Sequence, residues 1–138
     1  MVMVDLSDLN WLHIGAATLA GMILGWLWYS PVLFGSQWMR AVKVTKKEMA
    51  ASGNSPVPYI KALLGNFVAA IAMAQLVHVF AATSLWEGAQ VGLLAGIGLL
   101  AALQMIHLAF RGNKTLMLIN TSYDLVLLVM MGGLVAMW

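Results

Sequence analysis

The residues of this 138-residue chain that could do chemistry are few, and they lie inside long apolar stretches. The most informative is Asp124, near the middle of the apolar stretch from Leu116 to Trp138. A charged side chain at the centre of a membrane helix costs ~2.5–3.5 kcal/mol on insertion scales, so such a group usually faces protein or water. Asp124 therefore indicates a proton or ion pathway or, when protonated, a structural group inside a bundle.

Four further polar residues have the spacing to lie near Asp124. Gln104 and His107 share one helix face, because they are one turn apart. Asn120 precedes Asp124 by one turn on the next helix, and Tyr123 lies beside it. A short turn makes these helices antiparallel neighbours, so we predict an intramembrane polar cluster in the inner half of the membrane. The cluster would be a site for protons or a small solute, or a hydrogen-bond network that stabilises the bundle.

Two other histidines are predicted at the opposite end of the membrane. His13 lies near the start of the first apolar stretch and His78 near the end of the second. They would form an outer polar pair if these helices pack together. Histidine and aspartate are ligand types for zinc and copper. Because His13 and His78 are predicted near the opposite face from His107, we expect no metal site.

Signatures of catalysis are absent from the sequence. The chain has no Gly-rich phosphate loop in a strand–helix context, no nucleophile elbow and no paired carboxylates. It has no cysteine, which excludes disulfides and thiolate metal sites. We therefore expect no catalytic residue, no cofactor and no enzyme activity.

Composition indicates the environment that positions these residues. Hydrophobic residues make up 62% of the chain and charged residues 9%, which would leave a soluble protein short of polar surface. An integral membrane protein is the better interpretation. The net charge of +2 is too small to indicate a nucleic acid partner.

The apolar pattern predicts an all-α fold, an integral membrane four-helix bundle made of two helical hairpins. Each apolar stretch is long enough to cross ~30 Å of hydrocarbon at ~1.5 Å per residue. We expect a single transmembrane domain over residues 1–138, with helices at about 9–29, 59–82, 86–110 and 115–137 and an interfacial cytoplasmic loop at 31–58.

Charge in the connections predicts the orientation. Basic residues concentrate in the first and third connections, whereas the N-terminus and the second connection carry acidic residues only. By the positive-inside rule the basic loops are cytoplasmic and both termini lie outside. We expect a multi-pass protein of the plasma membrane, the inner membrane of a bacterium. Arg40, Lys43 and Trp38 would meet lipid headgroups.

Small residues recur at the spacing that lets helices approach closely in lipid. Gly21 and Gly25 are one turn apart in the first helix, as are Gly92 and Gly96 in the third. The sequence leaves open whether the partner helix belongs to the same chain or to another copy. Because so small a chain has much helix surface per residue, we expect a homo-oligomer or a larger membrane complex.

One segment resembles a family signature. Residues 28–39 resemble the motif W-Y-S-P-x-L-F-G-x-x-W-M of a small bacterial membrane-protein family catalogued as domain of unknown function 1761. The last apolar stretch is similar to that family's closing helix, although members often carry histidine or another residue in place of Asp124. The resemblance implies a four-helix membrane protein and no established activity.

Three functions are compatible with these features. The first is a small oligomeric channel or transporter-like module that uses the polar cluster. The second is a non-catalytic structural or accessory subunit of a larger membrane complex. The third is a protein that binds lipid or a hydrophobic ligand at the aromatic residues between Trp26 and Trp38.

Overall fold

The computed structural model describes residues 4–137, apart from the side chain of Arg111. Within that range the chain is all helical, and four spans are long and apolar enough to cross a membrane. This confirms the predicted all-α fold with four membrane-capable helices and indicates a multi-pass membrane protein. The spans are α1 (Trp11–Trp28), α4 (Val57–Val79), a composite third span, and α7 (Lys114–Ala136). The third comprises α5 (Leu85–Leu94), a π-helical segment (Ala95–Ala101) and α6 (Ala102–Arg111).

The helices begin and end within a few residues of the predicted positions. The largest difference is at α4, which ends at Val79 rather than near 82. Ala81 adopts a left-handed φ of 52°. Its N–H donates to the carbonyl oxygen of His78, and the N–H of Ala82 donates to that of Val77. This left-handed turn satisfies the last carbonyls of the helix and stops it.

The predicted loop at 31–58 contains two short helices, α2 (Gly35–Val42) and α3 (Lys46–Ser52). A capping box at Thr45 and Glu48 starts α3. The Nδ2 of Asn113, in the turn before α7, donates to the carbonyl oxygen of Ala41 at 3.2 Å. This bond ties the end of α2 to the start of α7.

Helix α7 is the central element, since it packs against α1, α4, α5 and the π-helical segment. We call the end of the bundle where α1 begins and α7 ends the terminal end, and the opposite end the basic-loop end. At the terminal end the core is dense: Ala17, Met73, Met131 and Val135 are almost completely buried. Such packing leaves no space for a solute among these core side chains.

The third span approaches α7 closely only along its first part. A Cβ at Gly88 would overlap the carbonyl oxygen of Gly132, and one at Gly132 would overlap that of Gly88. Gly92 lies in the same way against the backbone of Leu128, and Gly96 faces Leu125. Past the π-helical segment, α6 diverges from α7 and its apolar side chains are mostly exposed. The divergence opens a space between the two helices at the basic-loop end.

All four glycines predicted to pack helices contact neighbours in the same chain. Gly92 and Gly96 face α7, as above. A Cβ at Gly21 would meet the Asn66 side chain at 2.7 Å, and one at Gly25 would meet the Tyr123 hydroxyl at 3.1 Å. These grooves therefore hold the bundle itself together.

Candidate functional site

The segment after α1 folds into a tight turn that forms one wall of the site. The Ser30 hydroxyl donates to the carbonyl oxygen of Leu27 at 2.7 Å, and the N–H of Gly35 donates to that of Ser30 at 2.9 Å. A Cβ at position 35 would overlap the Tyr29 carbonyl oxygen and the Ser30 carbonyl carbon. The turn therefore requires glycine, because the backbone returns on itself there.

Two side chains of this turn bind α7. The indole Nε1 of Trp28 donates to the carbonyl oxygen of Ile119 at 3.1 Å. The Tyr29 hydroxyl donates to Oδ1 of Asn120 at 2.7 Å. Both bonds lie in the half-buried region between the helices, where a polar group without a partner would be costly. They attach the end of α1 and the following turn to the first third of α7.

Aromatic rings gather around Tyr123. Its ring centroid lies 5.3 Å from that of Tyr29 and 6.2 Å from that of Trp28. Trp38, on α2, meets Tyr29 edge to face at 5.8 Å. We call these four residues the aromatic cluster. Offset and edge-to-face pairs of this kind add about 0.5–1.5 kcal/mol each beyond the area that they bury.

A cavity of about 710 Å³ lies between the aromatic cluster, α3, α6 and α7 at the basic-loop end. Its wall includes all five residues of the predicted intramembrane polar cluster: Gln104, His107, Asn120, Tyr123 and Asp124. In the described part of the chain no hydrogen bond joins two of these side chains directly. They face a common space rather than forming a closed network.

Asp124 lies where two cavities meet. It lines the cavity of about 710 Å³ and also a crevice of about 390 Å³ between α4, the π-helical segment and α7. The half-buried carboxylate accepts no hydrogen bond from any side chain that the structure describes. The polar residues that share these walls include Asn120, Tyr123 and Asn66. A carboxylate so placed is open to a proton or to a bound cationic group.

His13 and His78, predicted to form an outer polar pair, have different surroundings. Nδ1 of His13 lies 3.0 Å from the carbonyl oxygen of Leu134, whereas His78 is exposed at the end of α4. Among the described hydrogen bonds none joins the two imidazoles. The Gln75 side chain accepts from the N–H of Val4 at 2.7 Å and donates to its carbonyl oxygen at 3.0 Å. This paired contact holds the N-terminal segment against α4.

The residues predicted to meet lipid headgroups divide into two groups. Arg40 and Lys43 are exposed on and just after α2. Trp38 is half-buried, contacts Tyr29 and lines the cavity. Across residues 4–137, no three His, Asp or Glu side chains converge on a point that could hold a metal ion.

Sequence reasoning did not place Tyr29 and Trp38 with the polar cluster, and it did not single out Asn66. Aromatic residues at a helix end are typical of the membrane interface, and the sequence offers those between Trp26 and Trp38 only as a separate, alternative site for lipid or a hydrophobic ligand. The available signal was the motif over residues 28–39, whose spacing encodes the turn. Asn66 offered no signal, since a lone amide within an apolar helix is compatible with any face.

One family model matches the chain. It is described as protein of unknown function (DUF1761) and covers residues 12–136, so the chain belongs to this family. No curated protein and no solved structure matches the chain.

Proposed function

Starting from membership of a family without an assigned activity, we propose that this protein is a small transporter-like membrane module. It binds a small solute in the cavity at the basic-loop end and passes it, or a proton, along Asp124. One observation supports this proposal: the five polar residues expected to act together line a single cavity of about 710 Å³. That volume is within the range of small-molecule sites, ~300–1,000 Å³.

The distribution of packing favours a carrier over an open channel. The basic-loop end holds the cavity, whereas the terminal end is closed by residues such as Met131 and Val135 that are almost completely buried. A channel needs a continuous path, while a carrier exposes its site to one side at a time. The π-helical segment (Ala95–Ala101) separates the fixed α5 from the diverging α6. In the proposed mechanism α6 moves about this segment, since π-helical turns often occur at functional sites.

The proposal includes a location and an assembly. The module lies in the plasma membrane, a bacterial inner membrane, with its basic loops cytoplasmic; the charge bias of the loops supports this orientation. It acts without covalent chemistry. We further propose a homo-oligomer or a larger membrane complex, because α6 has little contact with the rest of its own chain and would be covered by a neighbouring subunit.

Cysteine accessibility tests the cavity directly, because the natural chain has no cysteine. Met117→Cys places a thiol on the cavity wall, and Val135→Cys, at a position 1% exposed, is the matched buried control. Membrane-impermeant methanethiosulfonates, one cationic and one anionic, are applied to inside-out vesicles; at least one should label the first variant, and both should leave the second unlabelled. If neither reagent labels Met117→Cys from either side, the proposal is wrong.

A flux measurement tests the role of Asp124. Reconstituted wild-type protein should collapse an imposed pH gradient, reported by entrapped pyranine, faster than protein-free liposomes. Asp124→Asn should remove the excess rate while gel filtration shows an unchanged assembly. Equal rates for the wild type and the variant would contradict a transport role for this carboxylate.

A further inference from the structure

We propose that the solute is an amphipathic organic cation, whose charged group lies against the Asp124 carboxylate and whose apolar body lies among the rings of Tyr29, Trp38 and Tyr123. This inference rests on the proposed function, since it names the class of solute for the same cavity. It is carried by the juxtaposition of one carboxylate with three aromatic rings in one cavity.

The charge of the walls selects a cation. Among the described lining residues of both cavities, Asp124 is the one carboxylate and His107 the one imidazole, and neither Lys nor Arg occurs. An ionised carboxylate away from bulk water is stabilised by an opposite charge within ~4–6 Å. The same field would repel an organic anion. A bare metal ion would need more ligands than one carboxylate, and no described cluster supplies them.

The aromatic cluster suits an organic cation. A cationic group within ~6 Å of a ring centroid is attracted by the ring's negative face, and quaternary ammonium groups are often recognised in this way. Tyr29 and Tyr123, whose ring centroids are 5.3 Å apart, line the same cavity as Asp124. Met39, Met49 and Met117 complete the wall with flexible apolar side chains. The cavity therefore fits a charged head with an adaptable apolar body.

The crevice between α4 and the π-helical segment gives such a solute a route. It reaches Asp124 along apolar residues that include Ala62, Gly65, Leu100 and Leu127. Ala62 and Gly65 are exposed on the face of α4 that would contact lipid. An amphipathic cation concentrates at the lipid interface and could enter from the inner leaflet, whereas a strongly hydrated solute could not.

A pair of ions with the same shape and opposite charge tests the inference. The full-length protein in zwitterionic nanodiscs is titrated with tetraphenylphosphonium and, separately, with tetraphenylborate, and quenching of tryptophan fluorescence is followed. Asp124→Asn should weaken tetraphenylphosphonium binding at least about tenfold, because a desolvated charge pair loses one partner. Asp124→Glu, which keeps the charge, should bind tetraphenylphosphonium more tightly than Asp124→Asn, and Asp8→Asn, outside the cavity, should bind it like the wild type. Tetraphenylborate should bind the wild type no more tightly than it binds Asp124→Asn.

The outcomes separate this inference from the proposed function. Equal binding of tetraphenylphosphonium by wild type and Asp124→Asn would overturn the cation assignment, and labelling of Met117→Cys would still support a solute cavity. If Asp124→Asn does not fold, protection of Met117→Cys from modification decides the question. Tetraphenylphosphonium should slow that modification and tetraphenylborate should not; equal protection by both ions would also overturn the assignment.

Discussion

The Tyr29 hydroxyl donates a 2.7 Å hydrogen bond to Oδ1 of Asn120, joining the end of the first span to the first third of the last. Among the described hydrogen bonds, it is the one that joins a side chain at the end of α1 to a side chain of α7. Both residues line the cavity that Asp124 also lines. Loss of this contact should therefore loosen the wall of the site.

Tyr29→Phe should destabilise the bundle by about 0.6–1.7 kcal/mol, the range of interhelical hydrogen bonds in membranes. The measurement is unfolding in mixed micelles with increasing SDS, followed by circular dichroism. Tyr59→Phe is the matched control, because Tyr59 is 58% exposed. Equal stability of the two variants would show that the Tyr29 hydroxyl is not bound to Asn120.

Gly88→Ala should destabilise the bundle by ~1–3 kcal/mol, since its Cβ would overlap the Gly132 carbonyl oxygen and push α5 from α7. Gly65→Ala has open space around its Cβ and should be neutral or stabilising by up to ~1 kcal/mol, because alanine favours the helix. SDS unfolding again measures both. A loss of stability at position 65 as large as at position 88 would contradict the described packing.

The packing of the bundle and the composition of the polar cluster were accessible from the sequence. Four-residue spacing of glycine places Gly88, Gly92 and Gly96 on one face, and helical period places Gln104 and His107 on one face. Their partners were not accessible. Spacing within one helix says nothing about which neighbouring helix it faces, in the same chain or another.

Other features depend on contacts distant in sequence. The hydrogen bond from Tyr29 to Asn120 joins residues 91 positions apart, and no local sequence pattern predicts it. The π-helical segment (Ala95–Ala101) lies in a continuous apolar run. Without polar residues in the run, the sequence cannot distinguish a π-helical from an α-helical period. The early end of α4 depends on the left-handed backbone of Ala81, a conformation that alanine rarely adopts.

Lowering the pH should weaken the start of α3, which carries Met49 to the cavity. The N–H and the hydroxyl of Thr45 each donate to the Glu48 carboxylate at 2.8 Å. These bonds hold the pKa of Glu48 below its ordinary value, and the bond from the Thr45 backbone contributes most to the shift. Their stabilisation is present above the pKa of the unfolded chain and is lost as pH falls through the lower folded pKa.

The Thr45 amide resonance, followed by NMR against pH, checks this expectation. The pH midpoint of its chemical-shift change should lie below the ordinary glutamate pKa of ~4.3. Glu48→Gln keeps an acceptor for the capping box and should remove the pH dependence. A midpoint at or above ~4.3 would show that the carboxylate does not cap the helix.

Gly35→Ala should disrupt the site more than the fold. The added Cβ would overlap the Tyr29 carbonyl oxygen and the Ser30 carbonyl carbon, so the turn must shift and carry Tyr29 away from Asn120. Helix content should stay unchanged, because α1 and α7 retain their other contacts, while labelling of Met117→Cys in the same background should become faster. Gly53→Ala, whose Cβ would lie 3.4 Å from the Met49 carbonyl oxygen, is the matched control and should leave the rate unchanged. Unchanged labelling with Gly35→Ala would mean that this turn does not form the wall of the cavity.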